Sequence, residues 1–127
     1  MSLPIARSAQ VAELRRILTN LTLRLRARLV VTSAQPDRFA FAIADTAGPL
    51  RVAAATLISL ETGKLLSPRE ALSAVATARW NEAASEWLEH ISQARQTGML
   101  AANIGQATLT RMLELTSELR TRAAKLH

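Results

Sequence analysis

IARSAQVAELRRILTNLTLRLRARLVVTS, residues 5–33, is a stretch without proline or glycine that carries a regular row of apolar residues. The members of this row lie three or four positions apart: Val11, Leu14, Leu18, Leu21, Leu25 and Leu29. Such spacing is typical of one face of an α-helix, because a half-buried strand alternates apolar and polar residues. The sequence therefore predicts a long first helix over residues 5–33.

The second predicted helix covers residues 38–62 and follows a turn at Gln35-Pro36-Asp37. Gly48 and Pro49 lie inside it, and a proline removes one backbone donor and clashes with the preceding turn. We therefore expect this helix to be broken or kinked at 48–49. Gly63 stands where a glycine commonly ends a helix.

A third helix is predicted to begin at Ser67-Pro68-Arg69-Glu70. Ser67 can cap the helix, Pro68 suits the first helical position, and Glu70 can return a hydrogen bond to Ser67. An inward row of residues follows: Leu72, Ala76, Trp80, Ala83, Trp87, Ile91 and Ala94. Its eleven-residue period is closer to a straight or slightly right-handed seam than to a heptad coiled coil.

The extent of this third helix depends on two glycines, Gly98 and Gly105, each of which weakens a helix by about 1 kcal/mol relative to alanine. Either the chain turns near Thr97-Gly98, or one long helix spans residues 68–125. No proline or cluster of turn residues marks a loop, which favours the long helix. The predicted helix–helix seam consists of Trp80, Trp87, Ile91, Gly98 and Gly105.

Composition favours one all-α domain. The 127 residues are 49% hydrophobic and only 3% aromatic, which disfavours a β-sandwich or barrel. We expect a single domain over residues 1–127, built from long amphipathic antiparallel helices in a coiled-coil-like bundle. Apolar stripes on both long segments favour a homo-oligomer.

Residues that could support catalysis are few. The chain has no cysteine, which excludes disulfides, thiolate metal sites and a cysteine nucleophile. A Ser-His-Asp triad would need His90 or His127 beside Asp37 or Asp45, both near predicted turns. Glu86 and His90 have the spacing of two metal ligands on a helix, but a bundle metal site needs more carboxylates. We expect no enzyme activity, no cofactor and no metal.

The positive charge is concentrated in the first two predicted helices. The net charge is +6, and residues 1–51 hold eight arginines against three acidic residues. Nucleic acid is one conceivable partner, but Arg15, Arg16, Arg24 and Arg26 spread around the polar side of the first helix. With few aromatic residues for base stacking and no recognition motif, a solvated face or attraction to an anionic surface is the simpler interpretation.

Targeting signals are not apparent. The start, Met1-Ser2-Leu3-Pro4, is not a basic segment followed by a continuous apolar stretch. The most apolar region, from Phe39 to Leu60, is interrupted by Asp45, Gly48-Pro49 and Arg51. We expect a cytoplasmic protein that does not insert into a membrane.

Two segments resemble the phasin family, small helical proteins that coat polyhydroxyalkanoate granules. KLLSPREAL, residues 64–72, is similar to the family's Ser/Thr-Pro-x-Glu-Ala helix start. SQARQTGMLAANI, residues 92–104, is similar to its Gln-Ala-basic-x-x-Gly-x-Leu-Ala stretch. The resemblance covers about the middle third of the chain. It implies a non-enzymatic amphiphile that covers a hydrophobic polyester surface.

The apolar residues of the second helix are the candidates for contact with that surface: Phe39, Phe41, Ile43, Leu50, Leu57 and Ile58. The alternative is that they form the core of the bundle, and one stripe can serve both purposes in turn. Trp80 and Trp87 fit a helix seam better than interfacial anchors. A second hypothesis is a helical export chaperone that holds a client helix against Gly98, Ala101 and Gly105.

Overall fold

The structure is a computed structural model that describes residues 3–127, except the side chains of residues 3–5, 33 and 36. Within that range the chain forms five α-helices packed as a bundle, so the all-α prediction is confirmed. The helices are α1 (Leu3–Ala34), α2 (Phe39–Thr62), α3 (Pro68–Trp80), α4 (Ala83–Thr97) and α5 (Ala102–Ala124). A 3₁₀ turn, Pro36–Arg38, joins α1 to α2. The predicted homo-oligomer stays a prediction.

The helix α1 runs antiparallel to α2. Near the start of α1, Arg7 Nη2 donates to the Leu60 carbonyl at the end of α2, at 2.9 Å. Farther along α1, Arg24 Nη2 donates to Asp45 Oδ2 near the start of α2, at 2.7 Å. The predicted row of apolar residues is the buried face of α1, from Val11 to Leu25.

The helices α2 and α5 run parallel. Thr46 Oγ1 lies 4.0 Å from Met112 Sδ, and Arg122 Nε donates to Glu61 Oε2 at 3.0 Å. Arg15 of α1 closes the far end of α5, where its guanidinium donates to the carbonyls of Ala123, Ala124 and Leu126. A cation at this end of a helix satisfies free carbonyls and opposes the negative end of the helix dipole.

The predicted start of the third helix is confirmed at Ser67. The backbone N–H of Glu70 donates to Ser67 Oγ, and the backbone N–H of Ser67 donates to Glu70 Oε1, both at 3.1 Å. Pro68 occupies the first turn, where its missing N–H has no partner to lose.

The predicted long helix from residue 68 to 125 is wrong, because the chain turns twice within it. The first turn follows Trp80, where Asn81 adopts a left-handed φ of 53° and its N–H donates to the Thr77 carbonyl. Asparagine tolerates this conformation better than most residues, so no glycine or proline is needed there. The second turn follows Gly98, as in the alternative interpretation, with a φ of 69°.

The first of these turns folds α3 and α4 into a hairpin that packs on α2, and the second joins α4 to α5. Ser73 of α3 and Leu88 of α4 border one surface hollow, and Arg69 and Arg95 border another. The start of α3 therefore lies beside the end of α4. Because α4 doubles back along α3, the predicted continuous inward row is divided between two helices. Trp80 is only half-buried and Ala83 is exposed, whereas the other members are buried: Leu72, Ala76, Trp87, Ile91 and Ala94.

The helix α2 is not broken at Gly48-Pro49, since it continues through both residues, and the predicted kink there stays a prediction. Pro49 removes one backbone hydrogen bond, at a cost of about 3 kcal/mol in an isolated helix. Packing outweighs this cost, because α2 contacts each of the four other helices. Ala47 and Leu50, on either side of the pair, are fully buried.

Candidate functional site

Five of the six predicted surface-contact residues lie in the core of the closed bundle. Phe39, Ile43, Leu50, Leu57 and Ile58 are all buried, whereas the Phe41 side chain is 58% exposed. The reason is the central position of α2, whose apolar face is covered by its neighbours. In the closed bundle, Phe41 alone of these six is free to touch an external surface.

The predicted seam residues do not all lie in a helix–helix seam. Trp87 and Ile91 are buried, and Trp87 Nε1 donates to the Thr108 carbonyl of α5 at 3.1 Å. Trp80 is half-buried and meets Trp87 edge to face, with ring centroids 4.9 Å apart. Gly98 belongs to no seam, because it ends α4 and nothing lies within 4 Å of the position its Cβ would take.

Gly105 is the closest helix–helix contact of the predicted seam. A Cβ placed on Gly105 would lie 2.5 Å from the Cβ of Phe39, so α2 and α5 touch at this point. The small residue thus accommodates a helix of the same chain. A client helix has no room at Gly105 while the bundle is closed.

An exposed apolar face lies on the second half of α1. Its members are Leu23, Ala27, Val30, Val31 and Ala34, which we call the α1 face. Leu23, Ala27, Val30 and Ala34 follow a helical spacing on the side opposite the buried Leu21 and Leu25, and Val31 adjoins them. The exposed fractions of Leu23, Val30 and Val31 are 58%, 74% and 53%.

The residues of the α1 face were not among the predicted surface-contact residues, although their spacing is visible in the sequence. Leu23, Ala27 and Val30 lie four and three positions apart, which is the same spacing as the buried row. The first half of α1 has polar residues such as Arg16 and Asn20 on this side, so only the second half is apolar on two opposite sides. A helix of that kind has more apolar surface than its own core can cover.

Basic residues border the α1 face on the side towards α2. Arg24 and Arg28 both donate to Asp45 Oδ2, at 2.7 and 3.1 Å. The guanidinium of Arg28 also lies 5.6 Å from the ring centroid of Phe41. The arginine stems and the ring therefore extend the apolar surface from α1 to α2 while the charged groups remain at its border.

The residues considered for metal binding form a weak contact only. His90 Nε2 lies 3.9 Å from Glu86 Oε1 on the surface of α4. Among the residues that the structure describes, no group of three or more His, Cys, Asp or Glu side chains could hold a metal ion.

One helix is long and apolar enough to cross a membrane when only length and composition are considered. It is α2, Phe39–Thr62, and half of its most apolar window is buried in the bundle. The core helix of a bundle passes the same test. The prediction that the protein does not insert into a membrane stays a prediction.

No protein-family model, curated protein or solved structure matches this chain.

Proposed function

We propose that this protein is a non-enzymatic, phasin-like surface protein that binds an apolar surface, such as a polyhydroxyalkanoate granule, through the α1 face. The observation that carries the proposal is the exposure of Leu23, Val30 and Val31 side by side on one helix. A folded bundle gains nothing from apolar side chains held in water. Their burial against an external apolar surface is favourable.

The strength of this binding can be estimated from the exposed side chains. Complete burial of a leucine or valine side chain is worth about 1.5–3 kcal/mol. Leu23, Val30 and Val31 are 58%, 74% and 53% exposed, so each contributes about 1 kcal/mol or slightly more on contact. Together with Phe41 the total is about 4–6 kcal/mol, which corresponds to weak, reversible binding of one molecule. A coat then depends on many molecules binding side by side.

The arginines at the border suit a surface that carries negative charge. Arg24, Arg26 and Arg28 flank the α1 face, and Asp45 forms ion pairs with Arg24 and Arg28. Long arginine stems can lie along an apolar surface while the guanidinium groups reach its charged outer layer. The same charges favour an orientation in which α1 lies flat on the surface.

The proposal is tested by the partition of purified protein onto polyhydroxyalkanoate particles. The variant Leu23→Gln with Val30→Gln removes the two most exposed large side chains of the α1 face and should weaken binding by about tenfold to a hundredfold. The matched control is Val52→Gln with Leu65→Gln, again one valine and one leucine, 50% and 88% exposed and not on α1. The control should bind like the original protein. Equal loss in both variants, or in neither, would contradict the role of the α1 face.

Fluorescence of Trp87 can distinguish whether the bundle stays closed or opens when it binds the particle. If Phe39 and the other buried residues of α2 reached the surface, α2 would have to leave α5 and the hairpin. Trp87 reports such opening because its indole is buried and bonded to Thr108. In a Trp80→Phe variant we expect Trp87 emission and its quenching by acrylamide to stay unchanged on particle binding. A red shift with stronger quenching would instead favour the opened form.

A further inference from the structure

Three arginines from three helices surround one hollow on the side of the bundle. They are Arg51 of α2, Arg69 of α3 and Arg95 of α4, and Ser92 and Gln96 complete the lining. The volume of the hollow is about 370 Å³. The turn after Trp80 creates this site, because it returns α4 to the start of α3.

In the described part of the chain, none of these three arginines forms an ion pair with an acidic side chain. Within residues 3–127, no carboxylate lies within 4 Å of Arg51, Arg69 or Arg95, whereas Arg24, Arg28, Arg79 and Arg122 each form an ion pair. Glu70, the acidic residue next to Arg69 in the chain, is bonded to Ser67 in the helix cap.

Arg51 is the most constrained member of the cluster. Its Nε is shielded from solvent and has no hydrogen-bond acceptor among the described residues. Burial, followed by the charges of Arg95 and Arg69, lowers the pKa of the Arg51 guanidinium below its ordinary value. The cluster therefore combines three positive charges with an N–H donor, Arg51 Nε, that has no acceptor among the described residues.

Gly48 contributes to the shape of the hollow. It lies one turn before Arg51, and the position its Cβ would take is 3.9 Å from Arg95 Nη1. A longer side chain at this position would compete with the Arg95 guanidinium for space. The arginine can thus lie across α2 towards Arg51.

We propose that this hollow binds a small phosphorylated compound, with its phosphate group held by Arg51, Arg69 and Arg95. Guanidinium groups present paired N–H donors that match phosphate oxygens, and Ser92 and Gln96 supply neutral donors beside them. Because the three guanidinium groups border a single hollow, they favour one phosphate or pyrophosphate group. A nucleic acid would instead need basic contacts along several successive phosphates.

The test is calorimetric titration of the full chain with inorganic phosphate and with pyrophosphate. Arg95→Gln should weaken binding by about tenfold or more, because it removes charge-assisted hydrogen bonds. The control is Arg120→Gln, which lowers the net charge equally but changes an exposed arginine outside the hollow. It should change the affinity less than about twofold, as expected for a distant surface charge. Thermal melting of both variants checks that they are folded.

Three results would overturn this proposal. The first is no binding of either probe at millimolar concentration. The second is equal weakening by Arg95→Gln and Arg120→Gln, which would indicate general attraction to a chain of charge +6. The third is displacement of pyrophosphate by a single-stranded oligonucleotide whose affinity falls steeply with salt, which would indicate a nucleic-acid partner. The Leu23→Gln, Val30→Gln variant should keep its phosphate binding, so the two proposed sites can fail separately.

Discussion

Gly105→Ala is predicted to destabilise the bundle, against the usual preference of helices for alanine. In an exposed helix this change stabilises by about 1 kcal/mol. Here the new Cβ would lie 2.5 Å from Phe39 Cβ and 3.1 Å from Phe39 Cγ. The Phe39 Cβ cannot rotate away, because it is attached directly to the backbone of α2. The two helices must therefore separate.

The expected size follows from these opposing effects. Forcing an extra carbon into a packed core costs about 1–3 kcal/mol, and a contact this short lies at the upper end. Subtracting the helix gain of about 1 kcal/mol leaves a net loss of about 2 kcal/mol in the free energy of unfolding. For a domain of this size the melting temperature should fall by about 8 °C.

Urea unfolding followed by circular dichroism measures this loss. Ala107→Gly, two residues along on the exposed side of α5, reports the local helix preference and should cost about 1 kcal/mol. The reasoning is refuted if Gly105→Ala is as stable as the original protein or more stable. That result would mean that α2 and α5 do not touch at Gly105.

Three further predictions concern named contacts. Asp45→Asn removes the ion pairs with Arg24 and Arg28, which are partly exposed. Melting in low salt should show that the free energy of unfolding falls by about 0.5–1 kcal/mol, and this difference should shrink in 1 M salt. A difference that does not shrink would contradict the pairing. Trp87→Phe removes the hydrogen bond to the Thr108 carbonyl and should cost about 1–2 kcal/mol in urea unfolding, and no cost would contradict it. Hydrogen bonds from Ser67, first through its side chain, lower the pKa of Glu70, so this stabilisation is present above the ordinary glutamate pKa and is lost as pH falls through the lowered value. The stability gap between the original protein and Glu70→Gln should therefore be constant above about pH 5 and close towards pH 3, and a gap that widens in acid would be inconsistent.

Some features of the fold could be predicted from local signals in the sequence alone. The apolar row of α1 and the Ser67 cap are local features, and both appear where their spacing predicts. At Pro49 the helix is not broken, because the contacts of α2 with the four other helices outweigh one lost hydrogen bond. The turn at Asn81 has almost no local signal in the sequence, because asparagine seldom adopts a positive φ and only the packing of the hairpin selects it here.

The candidate sites were less accessible from the sequence. Which apolar row of a helix faces the core depends on its partners, so the burial of Phe39 and Ile43 could not be separated from surface contact beforehand. The hollow of Arg51, Arg69 and Arg95 depends on a turn that the sequence did not reveal. Once the hairpin is known, the same three residues form a cluster that is obvious from charge alone.

The central claim is that the α1 face contacts the polyester, and the most direct test measures which side of the bundle lies against the particle. The chain lacks cysteine, so a polarity-sensitive dye can be attached at one chosen position through Ala27→Cys in the middle of the α1 face. Ala78→Cys, which is also an exposed position, on α3, serves as the matched position elsewhere on the bundle. On addition of particles the dye at residue 27 should shift to the blue, while the dye at residue 78 should not. An unchanged dye at residue 27 on particle-bound protein, or equal shifts at both positions, would contradict the account.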